Sequence, residues 1–272
     1  MVDLRGVDLF NWNPSRPIMR GPVGRLLPFR RPVNNFGDML GPVVATELAP
    51  SHRVAAQPIR LLSVGSVLHF ARDGDVVWGS GINGKVNEPL AASVLDVRAV
   101  RGPLTARVLT QRGISVPSDA FGDPGALAPA LFGVERSPQP RLELTSLPNL
   151  HDYRLWADAP GLISPRLDYL TVLRTIADSK RIVTSSLHGI IIADALGIDV
   201  SLVRPTAESM FKYEDYYEGT GRRLPSFSTD RERSLESIAP KSAWDPTDLV
   251  NSFPRDLWSL DPSEEAARSG VT

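Results

Sequence analysis

The chain contains no cysteine. That excludes disulfides, thiolate metal sites and a cysteine nucleophile. It has no run near the ~20 apolar residues that a membrane-spanning helix needs. The N-terminus also lacks the ~7–15-residue apolar stretch of a secretory signal. A cytoplasmic location is therefore expected. There is no excess of either charge: 30 Lys and Arg face 31 Asp and Glu, for a net charge of −1. Nucleic-acid binders usually carry a basic surplus, so no nucleic-acid partner is expected. Lysine is scarce, confined to Lys85, Lys180, Lys212 and Lys241. The remaining cations are Arg, whose planar fork suits carboxylate and phosphate, although genomic base composition produces the same bias. His52, His69, His151 and His188 are scattered, with no H-E-x-x-H, so no metal site is expected. A G-x-S-x-G elbow and a Walker A loop are also missing.

What is present is an ordinary globular composition: 272 residues, 42% apolar and 22% charged. This is enough for one large or two smaller domains. Residues 11–34 hold five Pro and five Arg and no acid. Pro at that density disfavours helix and central strand. The segment reads as an irregular basic arm, either a surface loop or a flap that meets anionic ligand or a membrane surface. After it, strand-like runs at 59–66, 75–78, 95–100 and 118–121 alternate with helical patterns at 42–48 and 102–113. Following a Pro-containing linker at 133–140, strand patterns at 141–148, 161–165, 181–186 and 198–203 alternate with helical ones at 166–180 and 187–197. Such alternation implies parallel sheets with crossover helices. The expected architecture is α/β, with two Rossmann-like domains (1–135 and 141–245) facing a cleft. Residues 246–272 form a C-terminal segment whose end, after Ser259, is expected to be disordered.

Ligands of open α/β sheets bind beyond the carboxyl ends of the strands, which singles out the strand-to-helix corners. In TSSLHGIIIADALG, Ser185, Ser186 and His188 fall where a helix begins, and free N–H groups there attract anions. Ser185 or Ser186 can equally be a helix cap. His188 can bind phosphate or carry a proton. In VVWGSGING, Gly79 and Gly81 permit close approach of backbone to ligand, and Asn83 follows them. The spacing of Gly79, Gly81 and Gly84 matches a bare G-x-G-x-x-G, but Lys85–Pro89 interrupts the helix that a dinucleotide fingerprint requires. In VRAVRGPLT, Arg98 and Arg101 flank a strand end and can clamp a carboxylate or phosphate, while a surface charge reads as well for Arg98. In NNFGD, Asn35, Gly37 and Asp38 form a turn in which Asp38 is either a helix cap or a base toward a hydroxyl. Asp123, in FGDP, holds a site or shapes a turn.

The ordered set NNFGDMLGP, VGSVLHFARDGDVVWGSGING, VRAVRGPLTARVLTQRGI, FGDPGAL, DSKRIVTSSLHGIIIADALGI and FKYEDYY resembles the polysaccharide pyruvyltransferase family. It spans roughly residues 34–217. The resemblance implies a fold similar to two-domain, GT-B-like glycosyltransferases. It implies phosphoenolpyruvate as co-substrate, with no other cofactor, and a glycan or lipid-linked sugar as acceptor. It implies donor-binding roles for His188 and Arg101, a catalytic or acceptor-site role for Asp38, and a site position for Lys212. Peripheral contact with the inner face of a membrane would follow from a lipid-linked acceptor. The chain departs from the pattern at Ser186, where some family members carry a donor-binding Arg. A nucleotide-sugar glycosyltransferase and a non-catalytic glycan- or anion-binding module remain the alternatives.

Overall fold

A computed structural model of the chain describes residues 2–17, 29–85, 90–117 and 119–261. The chain opens with a hairpin of β1 (Val2–Leu4) and β2 (Val7–Phe10). Arg5 and Gly6 both take positive φ, 54° and 86°. Two such residues give the turn whose twist matches that of paired strands. β2 then runs parallel to β5 (Ile59–Leu62), which precedes β6 (Val76–Trp78) and β7 (Asp96–Ala99) in a sheet of order β1-β2-β5-β6-β7. Between β2 and β5 lie a two-stranded ribbon, β3 (Ser15–Pro17) with β4 (Arg30–Pro32), and helix α1 (Phe36–Leu48). Helix α2 (Pro103–Thr110) follows β7, and α3 (Ala128–Leu131) ends the first half. A second, all-parallel sheet has the order β10-β9-β8, from β8 (Leu142–Leu147), β9 (Ser179–Thr184) and β10 (Asp199–Leu202). Helices α4 (Tyr169–Ala177) and α5 (Leu187–Leu196) are its crossovers, and α6 (Phe211–Gly219) lies beyond it.

Central parallel strands are covered on both faces and so read as unbroken apolar runs. Val76, Val77 and Trp78 are all fully buried. Helix α5 is apolar over most of its surface, as a helix packed on nearly every side must be: Ile190, Ile191 and Ile192 are each sealed from solvent, and only Asp194 and Ala195 near its end reach the surface. One continuous apolar cluster joins the halves, running from Val7, Leu40 and Trp78 to Leu147, Ile182 and Ile190. Helix α1 belongs in sequence to the first half, yet it packs against α4 of the second.

Several elements depart from the expectation. The first helix begins at Phe36, not Pro42, and carries Pro42 inside it. Asn35 therefore occupies the cap position and Asp38 lies in the first turn. Residues 161–165 form no strand; only Leu162 makes a bridge, to Ser146. The basic arm is partly regular, because Pro17 and Pro32 sit in a two-stranded ribbon whose outer edges need no N–H donor. Its middle, 18–28, and the expected disordered tail, 262–272, fall outside the described residues. So do residues 86–89 of the stretch that interrupts the dinucleotide pattern, and Ser118.

Candidate active site

The carboxyl ends of the parallel strands of both sheets open on one cleft of about 250 Å³. Each strand delivers its next residues there. Trp12 follows β2, Ser66 and His69 follow β5, and Asn83 and Lys85 follow β6. From the second half, Asn149 and His151 follow β8, Ser186 and His188 follow β9, and Glu208 and Lys212 come after β10. Helix α1 adds Asn35 and Asp38. This is where the crevice rule for open α/β sheets places a ligand.

Asp38 is one of two carboxylates that line the cleft, the other being Glu208. Burial raises its pKa from 3.8 to about 6, against the hydrogen bond from Asn35 and the charge of Lys212. That bond runs from Asn35 Nδ2 to Asp38 Oδ2 at 2.8 Å. Gly37 has a separate purpose. A Cβ on it would stand 2.0 Å from His188 Nδ1, so only glycine leaves room for the imidazole. His188 also meets the edge of Phe36, with ring centroids 6.3 Å apart. Burial, reinforced by Lys212 and Arg101, lowers the His188 pKa to about 3. The imidazole is thus neutral at physiological pH. Ser186 caps α5, its Oγ accepting from Gly189 N at 3.3 Å, and it lines the cleft. Ser185 is turned away from it: its Oγ donates to Asp152 Oδ2 at 2.7 Å and accepts from Asn149 N at 3.1 Å.

Two of the chain's four lysines meet in this cleft, one from each half. Lys85 Nζ and Lys212 Nζ lie 2.7 and 2.8 Å from the two oxygens of Glu208. His151 Nδ1 is 2.9 Å from the same carboxylate. Burial pushes Glu208 up, but Lys212 and Lys85 outweigh it and hold its carboxyl at about 2. Burial pulls Lys212 down, against the attraction of Glu208. The cleft therefore offers an anion two ammonium groups that share one carboxylate, leaving one positive charge in excess, and the N-terminus of α5, beside a neutral imidazole and a carboxylate poised near neutrality.

Besides Ser185 and Gly37, four more residues expected to touch ligand do other things. Arg101 is completely buried and does not line the cleft. Its guanidinium donates to Asp215 at 3.1 Å, to Ser66 Oγ at 2.8 Å and to the carbonyl of Ile82 at 2.7 Å. Arg98 lies outside the cleft, paired to Asp96 and Asp256 at 2.7 Å each. Gly81 makes room for the Arg101 guanidinium, whose Cζ would be 2.4 Å from an added Cβ. Gly79 makes room for Pro124, whose Cδ would be 2.2 Å away. These glycines serve packing of the protein on itself rather than approach to a ligand. Sequence reasoning also missed Lys85, Asn149, His151 and Glu208. Only Lys85 had a signal, a rare lysine just after the Gly-rich loop; the others stand in loops without a recognisable motif.

Fold and cleft together define an α/β protein with a polar, anion-compatible site between the parallel strands of two sheets. Among the described residues, no group of three His, Cys, Asp or Glu side chains is placed to hold a metal ion. No described helix is long and apolar enough to cross a membrane. The chain is 33% identical over 215 residues to the succinoglycan biosynthesis protein ExoV of Rhizobium meliloti (strain 1021), covering 70% of this chain and 65% of that protein. It is 31% identical over 150 residues to the uncharacterized protein L143 of Acanthamoeba polyphaga mimivirus, covering 52% of each. The chain thus spans just under two thirds of the first relative and about half of the second. No family model and no solved structure matches.

Proposed function

We propose that this chain is a transferase of exopolysaccharide biosynthesis that builds a pyruvate ketal on a sugar, with phosphoenolpyruvate as donor. One observation carries the reading. The cleft gathers Lys85, Lys212 and the start of α5 around a neutral His188 and a carboxylate with a pKa of about 6. Phosphoenolpyruvate brings a carboxylate and a phosphate, and these are the groups that ammonium ions and helix N-termini bind. The similarity to a protein named for succinoglycan biosynthesis supports a glycan acceptor.

The chemistry divides among the residues present. Burial is the main cause of the low His188 pKa, and Lys212 and Arg101 add to it; the donor's negative charges act against all three, and the imidazole takes up a proton as the donor binds. His188 delivers that proton to C3 of the enol, leaving a cation at C2. A sugar hydroxyl bonds to C2 and its proton passes to Asp38. The C2–O bond to phosphate breaks, a second hydroxyl bonds to C2, and its proton leaves with the phosphate. Asp38 releases its proton to solvent, replacing the one that His188 took up when the donor bound. In sum, two hydroxyl protons are exchanged for a methyl hydrogen and a protonated phosphate. Lys85 and Lys212 hold the anionic groups throughout.

The test is release of inorganic phosphate from phosphoenolpyruvate, dependent on an acceptor glycan. His188→Ala is expected to lower kcat by about 10²–10⁴, the usual worth of general acid–base help. Phosphoenolpyruvate should raise the melting temperature and nucleoside diphosphates should not. Stabilisation by nucleoside diphosphates alone, with turnover of a nucleotide sugar, would overturn the donor.

A further inference from the structure

His188 faces a second buried group that the reaction above does not use. Asp123 stands just before the turn of 3₁₀ helix at Pro124–Leu127. Its Oδ1 accepts from Gly125 N at 2.9 Å. Its Oδ2 is shut away from solvent without a hydrogen bond of normal geometry, and so is His188 Nε2, only 4.0 Å off; the N–H of Gly65 is near enough to the carboxylate to favour its ionised form. Two bare lone pairs facing each other in a buried setting would leave both groups unsatisfied. A proton between them satisfies both, after a closure of roughly 1 Å to ordinary hydrogen-bond length. The surroundings constrain the ring to that approach. Gly37 backs its Nδ1 edge, Phe36 meets it edge-on, and a Cβ on Gly125 would lie 3.8 Å from its Cδ2. Nε2 is sealed off, while Gly37 lies beside Nδ1 with no side chain to cover it, so Nδ1 is the ring nitrogen of His188 that can meet a ligand in the cleft.

We propose that Asp123 is a positioning residue: its Oδ2 accepts a hydrogen bond from Nε2–H of His188, fixing the tautomer in which Nδ1 is the bare, basic nitrogen. The inference rests on the reading of His188 as the proton carrier, and it names the nitrogen that does the carrying. Burial raises the pKa of Asp123 to about 6, against the hydrogen bond from Gly125 and the charge of Arg101, so the group is ionised and able to accept at neutral pH. Once Nδ1 takes a proton, the same carboxylate stabilises the resulting imidazolium. This is the function that a buried acid behind a catalytic histidine serves in catalytic triads.

The measurement is the ¹⁵N spectrum of the histidine rings at pH 7 in the full chain, which has four histidines. Loss of signals in His188→Gln assigns the ring. The expected result is protonated Nε2 and bare Nδ1. In Asp123→Asn the amide oxygen must stay on Gly125 N–H, so the NH₂ faces Nε2 and the tautomer inverts. With phosphoenolpyruvate and acceptor, that variant should lose on the order of 10²–10⁴ in kcat, with KM for phosphoenolpyruvate within a factor of about 3. A wild-type ring protonated at Nδ1, or an Asp123→Asn protein with unchanged tautomer and kcat, overturns the proposal. If Asp123→Asn does not fold, the wild-type spectrum decides alone. The tautomer is read without turnover. A spectrum as expected, with no transfer from phosphoenolpyruvate, therefore removes the reaction and keeps the pair.

Discussion

Asp38 exchanges hydration for a place in the cleft, and that exchange sets a pH dependence. Its pKa rises from 3.8 to about 6 through burial. A carboxyl with a raised folded-state pKa favours the folded state fully below its unfolded value, and that contribution is lost as pH rises through the folded value. Asp38→Asn should therefore be more stable than wild type at pH 8, by up to about 3 kcal/mol, with the difference gone by about pH 4. Urea unfolding at the two pH values measures it. His188 acts in the opposite sense, since its lowered pKa makes protonation in acid oppose folding, but it is common to both proteins and cancels. The same substitution should abolish turnover. A variant less stable at pH 8 would show that Asp38 is held by favourable contacts instead. At this scale the sequence could point to Asn83, Ser186 and His188 as neighbours of strand ends and to Asn35 and Asp38 as a turn before a helix, while Lys212 came from the resemblance; all of them line the cleft. It misread Arg101, because nothing local shows that Asp215 waits 114 positions further on to occupy the guanidinium.

Elements were legible where their pattern is local. Strands β5, β6, β7, β8 and β10 and helices α2, α4 and α5 fall within the segments read as such, and β9 begins two residues before its segment, at Ser179, which was read as helix. Each is bounded by turn residues, and α5 ends at Gly197 in the left-handed conformation, as helices often do. Helix α1 was cut short because Pro42 reads as a start. In the fold it sits mid-helix, with no N–H to offer the carbonyl of Asp38. Helix α6 was missed because its acids and bases mask the inward spacing of Tyr213, Tyr216 and Tyr217. At the junction of β9 and α5 the cap matters most. Ser186→Ala removes the bond to Gly189 N, and should cost about 1 kcal/mol in urea unfolding. An unchanged midpoint would show that the first turn of α5 is held by packing alone.

At the scale of the whole molecule, the buried pair of Arg101 and Asp215 ties the first sheet to α6, the helix that carries Lys212. The two side chains are fully buried, 3.0 Å apart, and Asp215 also accepts from the N–H and hydroxyl of Thr105 at 2.9 and 2.6 Å. Removing one member strands a buried charge. Asp215→Ala should therefore lower stability by about 3–5 kcal/mol. A loss below about 1 kcal/mol, the worth of an exposed pair, would contradict this placement. The ion pair explains why Arg101 matters to the site without touching it. It anchors Ser66, which lines the cleft, and contributes to the field that keeps His188 neutral.

By itself, the sequence determined the α/β alternation, the corners at which chemistry can occur and the scarcity of lysine. These depend on residues a few positions apart, and that is the range over which periodicity, caps and turns act. Only the tertiary structure decided which cations face a ligand. Lys85 and Lys212 do, two ammonium groups sharing the single carboxylate of Glu208, whereas Arg98 is held between Asp96 and Asp256 outside the cleft and Arg101 is buried against Asp215. A cation serves a ligand only where packing leaves it facing the cleft with charge in excess of its partners. Those partners are mostly delivered by distant segments that the packing of two sheets brings together.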